Sequence, residues 1–152
     1  MVALGVIVVD QVTKVWAVAS LMDQPPVEVI GSLLRLTYVE NTGAAFGLGA
    51  GRAWLFTIAA IIVNIVIIYI SRNLGSLAWA FALGGLMGGA LGNAIDRMTR
   101  EPGWGRGYVV DFLQLPYWPV FNVADVAVVV SAIGMVVLSV MGIGMRGRQV
   151  VA

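Results

Sequence analysis

The chain has 152 residues, 60% of them hydrophobic and only 11% charged, with a net charge of +1. That composition reads as an integral membrane protein, and no basic patch with interleaved aromatics points to nucleic acid. With no cysteine and no histidine, disulfide frameworks, thiol nucleophiles, His-dependent zinc sites and Ser-His-Asp triads are excluded, so chemistry must come from Asp, Glu, Lys, Arg, Ser, Thr or Tyr.

Four hydrophobic segments are predicted to span: 1–21, 53–71, 74–95 and 120–145. About 20 helical residues cross the roughly 30 Å hydrocarbon core, and spanning backbone must satisfy its own hydrogen bonds. The first segment lacks a basic leader, and Asp10 and Lys14 interrupt its apolar run. It therefore reads as a retained span, not a cleaved signal peptide. Only nine residues precede Asp10, so the sequence reads as starting late, with little cytoplasmic anchor. Asp10 and Lys14 are four apart and share a helical face. An ion pair that locks the first helix and a direct place in a site are both open readings.

The connection 22–52 has a different texture. VEVI and LLRLTYV flank Gly31-Ser32, a two-residue hairpin turn in prospect. Leu34, Leu36 and Tyr38 point one way and Arg35 and Thr37 the other, the pattern of a half-buried strand. A small sheet over 27–39 at the membrane surface is expected. Asn41 and Gly43 then lie in a turn before the second span or in a loop dipping toward a ligand.

The third span carries GGLMGGALGN, with glycines recurring every four residues. This face lets neighbouring helices approach closely. At its end, Asn93, Asp96 and Arg97 follow i, i+3, i+4 spacing. Arg97 suits a substrate carbonyl or a carboxylate, and the simpler expectation is an Asp96–Arg97 pair closing the helix. Asn122 suits an N-cap, with Asp125 in the first turn of the fourth span. Asp111 follows an apolar Tyr-Val-Val run, and capping does not explain it. A carboxylate at membrane depth costs on the order of 2.5–3.5 kcal/mol. Two that converge repel, so one keeps its proton, and such a pair can split a peptide with one water.

Four spans put both termini on one membrane side and the two long connections, with nearly all polar features, on the other. Arg72, Arg146 and Arg148 lie on the termini side. Arg35, Arg52, Arg100 and Arg106 lie on the other, with Arg97 at the boundary. Charge bias alone leaves the orientation open.

Taken together, five stretches resemble the lipoprotein signal peptidases of bacteria (signal peptidase II): DQVTK at 10–14, ENTGAAFG at 40–47, GGALGNAIDR at 88–97, GYVVDF at 107–112 and FNVAD at 121–125. They occur in the family's order and extend from the first span to the last. The resemblance implies an aspartic endopeptidase of the bacterial cytoplasmic (inner) membrane, built as one domain over 1–152. The implied fold is all-α, with four transmembrane helices and a small extracytoplasmic sheet. It implies removal of signal peptides from diacylglyceryl-modified prolipoproteins, cut on the amino side of the lipidated cysteine. Asp111 and Asp125 would be the catalytic pair. Asn41, Gly43, Asn93, Arg97 and Asn122 would bind substrate, with Asp10, Lys14 and Asp96 in support. Both termini would be cytoplasmic and the site would face the outer leaflet. The implied partners are the lipidated prolipoprotein, membrane lipid and globomycin-type inhibitors. No metal, cofactor or nucleic acid is implied, and an unobstructed flank for the substrate suits a monomer.

Two rival classes stand beside this. Intramembrane carboxylates alone suit a small proton-coupled transporter or channel subunit relaying through Asp10, Asp96 and Asp125. A glycine-rich third span also suits a non-catalytic assembly subunit. Clustering of the polar residues at one membrane face speaks against a relay across both.

Overall fold

The computed structural model describes residues 1–43 and 52–147. Residues 44–47 of the ENTGAAFG stretch, and Arg148, fall outside them. Four helices, α1 (Val2–Leu21), α2 (Ala53–Ile70), α3 (Leu77–Thr99) and α4 (Val123–Val140), are each long and apolar enough to cross a membrane. At about 1.5 Å per residue they extend about 27–35 Å. Their outward faces are apolar. On α4, Val126, Val130, Ile133 and Val137 form an exposed stripe suited to lipid.

Helix α3 is the hub. It packs against α4, α1 and α2, while α2 has little contact with α4 among the described residues. The glycines explain the close packing. A Cβ on Gly88 would lie 2.7 Å from the Ala3 carbonyl of α1, and one on Gly89 2.5 Å from the Ala124 carbonyl of α4. The period of four thus serves two adjoining faces, one for each neighbour.

Local chemistry sets the helix ends. Ser76 caps α3, its side chain accepting from the Trp79 N–H. The helix runs on to Thr99, past the expected end near 95, because its polar residues find partners inside the protein. Asn122 starts α4 with a reciprocal capping box to Asp125. Residues 120–121 lie outside the helix, and Phe121 bridges to Leu113. Helix α4 stops at Val140, where Gly142 takes φ +68°. The Ile143 N–H bonds the Leu138 carbonyl at 2.9 Å and the Gly142 N–H bonds Ser139 at 3.1 Å, the pattern of a Schellman stop. The following segment folds onto the α2–α3 turn, where the Gly75 and Ser76 amides reach the Met145 carbonyl at 2.9 and 3.0 Å.

The expected hairpin is present and belongs to a larger sheet. Strands β1 (Val27–Ile30), β2 (Leu34–Asn41) and β3 (Val109–Gln114) form an antiparallel sheet in that order. The β1–β2 turn includes Leu33, whose amide bonds the Ile30 carbonyl at 2.9 Å, so it is longer than the two residues expected. Leu36 and Tyr38 pack on a cluster of Ala17, Leu21, Val110 and Phe112. Val39 pairs with Asp111, and Asn41 with Val109.

One polar knot fastens these pieces. Lys14 Nζ lies 2.9 Å from Asp10 Oδ2, 2.9 Å from Asp96 Oδ2 and 2.8 Å from Asn93 Oδ1, with its side chain fully buried. Asp10 Oδ1 accepts from the Ala124 N–H in the first turn of α4 at 2.9 Å. Asp96 accepts from the Val110 N–H of β3 at 3.2 Å and from Arg100 Nε at 3.0 Å. Gln11 donates to the Gly92 carbonyl at 3.1 Å. The formal charges of Asp10, Asp96, Lys14 and Arg100 cancel. Lys14→Met leaves two buried carboxylates short of their shared cation, which costs about 3–5 kcal/mol. The expected result is a large loss of thermal stability in detergent. Glu28→Ala, which removes an exposed pair with Arg35, should cost at most about 1 kcal/mol.

Candidate active site

Asp111 sits on β3 and Asp125 in the first turn of α4, and both line one groove of about 390 Å³. The groove opens between α2 and α4, which both lean on α3. Phe56, Ala60, Ala90, Ala94, Val128 and Val129 supply apolar walls from the three helices, and the 118–121 segment covers it from the sheet side.

Three asparagines hold the carboxyl groups. Asn41 Nδ2 donates to Asp111 Oδ2 at 2.8 Å and Asn122 Nδ2 to Asp111 Oδ1 at 2.6 Å. Asn93 Nδ2 donates to Asp125 Oδ1 at 2.8 Å, and the Asn122 N–H donates to Asp125 Oδ2 at 3.1 Å. Asn122 Nδ2 also reaches Asn93 Oδ1 at 3.1 Å. Asn122 therefore touches both acids, through its side chain and its backbone.

The direction of each amide is fixed chemically. Asn93 Oδ1 takes a bond from the Lys14 ammonium, which can only donate, so its NH₂ must face Asp125. Asn122 Oδ1 accepts from the Asp125 N–H at 3.0 Å, and Asn41 Oδ1 from the Gly43 N–H at 3.0 Å. Their NH₂ groups are left for Asp111. Burial pushes the Asp111 carboxyl up to about 7, with the nearby Asp125 charge adding to the rise and the two asparagine bonds opposing it.

Arg97 also lines the groove. It donates to the Gly43 carbonyl at 2.7 Å and the Gly107 carbonyl at 3.3 Å, and lies over the Phe56 ring at 5.5 Å. The Asp96–Arg97 pair expected from spacing is not formed. Asp96 turns to Lys14 and Arg100, on the α1 side, while Arg97 reaches toward α2. Gly43 lines the groove as well. Asp10, Lys14 and Asp96 lie behind it and reach it through Asn93.

Gln11, Arg100 and Phe56 escaped the sequence reading. Gln11 had a signal, a polar residue beside Asp10 in an apolar span, and Arg100 stands four residues after Asp96. Phe56 had none, one aromatic among many apolar residues.

Residues 2–141 match the family model described as signal peptidase (SPase) II. A lipoprotein signal peptidase of Leifsonia xyli is 45% identical over 149 residues, covering 97% of this chain and 69% of that one. One from Mycobacterium avium is 49% identical over 141 residues, covering 93% and 78%. A solved bacterial membrane enzyme superposes with a TM-score of 0.78 at 32% identity, over 91% of this chain and 85% of that one. The transporter reading finds no support in these relatives. A family match over nearly the whole chain, on four spanning helices and a three-stranded sheet, makes this protein a member of the signal peptidase II family of aspartic peptidases.

Proposed function

We propose that Asp111 and Asp125 are the catalytic pair with which this chain removes signal peptides from diacylglyceryl-modified prolipoproteins, on the amino side of the lipidated cysteine. The observation that carries this is the pair itself, two carboxyl groups on one groove that are bonded through a common asparagine. The pair holds one proton between its two acids. The ionised acid takes a proton from a water whose oxygen attacks the scissile carbonyl carbon. The protonated acid gives its proton to the carbonyl oxygen. As the tetrahedral intermediate collapses, one of its hydroxyls returns a proton to the acid that gave one, the C–N bond breaks, and the proton taken from water passes to the leaving amine.

Asn41, Gly43, Asn93 and Arg97 position substrate across the pair. Asn122, expected beside them, is fully buried off the groove and instead orients the two acids. Asp10, Lys14 and Asp96 hold that frame. The signal helix packs beside α2 and α4 while the lipid chains stay in the bilayer. Each buried methylene contributes about 0.8 kcal/mol, which favours lipidated over unlipidated precursors. The working unit is a monomer of one membrane-embedded domain in the inner membrane, with cytoplasmic termini and a site toward the outer leaflet. A globomycin-type inhibitor competes by occupying the pair.

Asp111→Asn and Asp125→Asn should each lower cleavage of a lipidated peptide in proteoliposomes by on the order of 10²–10⁴-fold, without an ion gradient and with insertion unchanged. The double variant should be little worse than either single one. Either variant retaining the normal rate ends the assignment. The pH profile gives a second test. Asp111 is raised from 3.8 to about 7, so its proton persists across that interval and is lost above it. Cleavage should therefore fall as pH rises through about 7. Asn41→Ala removes a bond that favours the ionised form, and should move this limb to higher pH.

A further inference from the structure

All eight acidic residues of the chain lie away from the end where α2 turns into α3. Asp10 and Asp96 belong to the polar knot, Asp111 and Asp125 to the groove, Glu28 and Glu40 to the sheet, and Asp23 and Glu101 to the long connections. No Asp or Glu occurs over 41–95 or 126–152. Two arginines nonetheless meet at that end, on a cavity of about 390 Å³.

The cavity is built from two distant stretches. Tyr69, Ile70, Arg72 and Asn73 come from the end of α2 and the turn after it, and Met145 and Arg146 from the segment after α4. Backbone contacts clamp the stretches together. The Gly75 and Ser76 amides donate to the Met145 carbonyl, and a Cβ on Gly75 would lie 2.7 Å from the Arg146 carbonyl oxygen. The Arg72 guanidinium lies over the Tyr69 ring, 5.7 Å from its centroid. That contact uses the face of the guanidinium and leaves its in-plane N–H groups to donate elsewhere. Both arginines are exposed, and neither forms an ion pair among the described residues.

A wall with two reachable guanidinium groups and no carboxylate calls for an anion from outside the protein. Its level narrows the choice. Helix α2 ends at Ile70 and α3 begins at Leu77, so the cavity stands where the spanning helices leave the hydrocarbon. Exposed Tyr69 suits that boundary. Ile62, Ile65 and Val66 share its helical face and are exposed as well, so an apolar stripe runs from the cavity into the bilayer.

We propose that this cavity is the headgroup site of an anionic phospholipid, whose phosphate accepts from Arg72 and Arg146 while an acyl chain lies along the Ile62–Ile65–Val66 stripe. Free phosphate shares the headgroup chemistry and gains nothing from the stripe. A zwitterionic choline headgroup brings a further cation to a wall that already holds two.

Native mass spectrometry of the full chain in neutral detergent tests this. Phosphatidylglycerol and phosphatidylcholine with identical acyl chains compete at equal concentration. The wild-type protein should retain phosphatidylglycerol about 25-fold over phosphatidylcholine, about five-fold for each arginine. Arg72→Gln and Arg146→Gln should each lower the preference about five-fold, and the double variant should abolish it. Arg106→Gln, at an exposed arginine just before β3, should leave it unchanged. Equal retention of the two lipids by the wild type overturns the proposal without any variant having to fold. An unchanged preference in the double variant overturns it too. A loss in Arg106→Gln as large as that in Arg72→Gln makes the preference one of net charge and does the same. Displacement of phosphatidylglycerol by an equal concentration of inorganic phosphate makes the cavity a free-anion site and likewise overturns it.

Discussion

The ammonium of Lys14 is the point to which the rest of the molecule is tied. It has three protons to donate, and Asp10, Asp96 and Asn93 take them. Each acceptor then reaches a different element. Asp10 holds the Ala124 amide at the start of α4, Asp96 holds the Val110 amide of β3, and Asn93 holds Asp125. At membrane depth no bulk water replaces a missing partner, so such a knot is stable only when complete. Once complete, it fixes β3 against the α4 terminus, and those two elements carry the two acids of the groove.

How the site tolerates two neighbouring carboxyl groups follows from what is kept away from them. No hydrogen bond from lysine or arginine to Asp111 or Asp125 occurs among the described residues. Lys14 stands one asparagine behind Asp125, and the Arg97 guanidinium is held on the carbonyls of Gly43 and Gly107. Amide dipoles do the holding instead. A cation in direct contact would favour two ionised acids, whereas neutral donors moderate their repulsion and leave room for one proton. A pair that must give and accept a proton in one cycle needs that intermediate condition. The same amides are locked by backbone N–H groups and by Lys14, so they are pre-oriented before any substrate arrives.

Much of this was legible in the sequence because a membrane makes polarity conspicuous. Four apolar runs exposed the spans, and Asp10, Lys14, Asn93, Asp96, Asp111, Asn122 and Asp125 all belong to the knot or to the pair it supports, whereas Asn64 of α2, bonded to the Ala60 carbonyl, belongs to neither. The β2 arm showed its alternation through Leu36 and Tyr38. Strand β3 did not: Val109, Val110, Asp111 and Phe112 are all buried, so the period-two signal of a half-solvated strand is missing. That is why Asp111 could be singled out while its strand could not. The spacing of Asp96 and Arg97 suggested a pair, but adjacent residues on a helix diverge by about 100°, and each found its partner on a different neighbour. The capping explanation of Asp125 was correct and incomplete. The carboxylate that closes the cap with one oxygen presents the other to Asn93.

Capping and the groove are in fact two consequences of one geometry. The start of α4 must meet β3 for Asn122 to reach Asp111, and α4 must approach α3 closely for Asn93 to reach Asp125. Gly89 and Gly92 permit the second contact, since a side chain at either would meet Ala124 or the Asp10 carboxylate. With α4 drawn to that side of α3, α2 packs on α3 elsewhere and, among the described residues, scarcely touches α4. The gap between them is floored by Ala90 and Ala94 and edged by Ala60, residues too small to fill it. The gap is what remains when one glycine-faced helix is shared by two neighbours that do not close on each other.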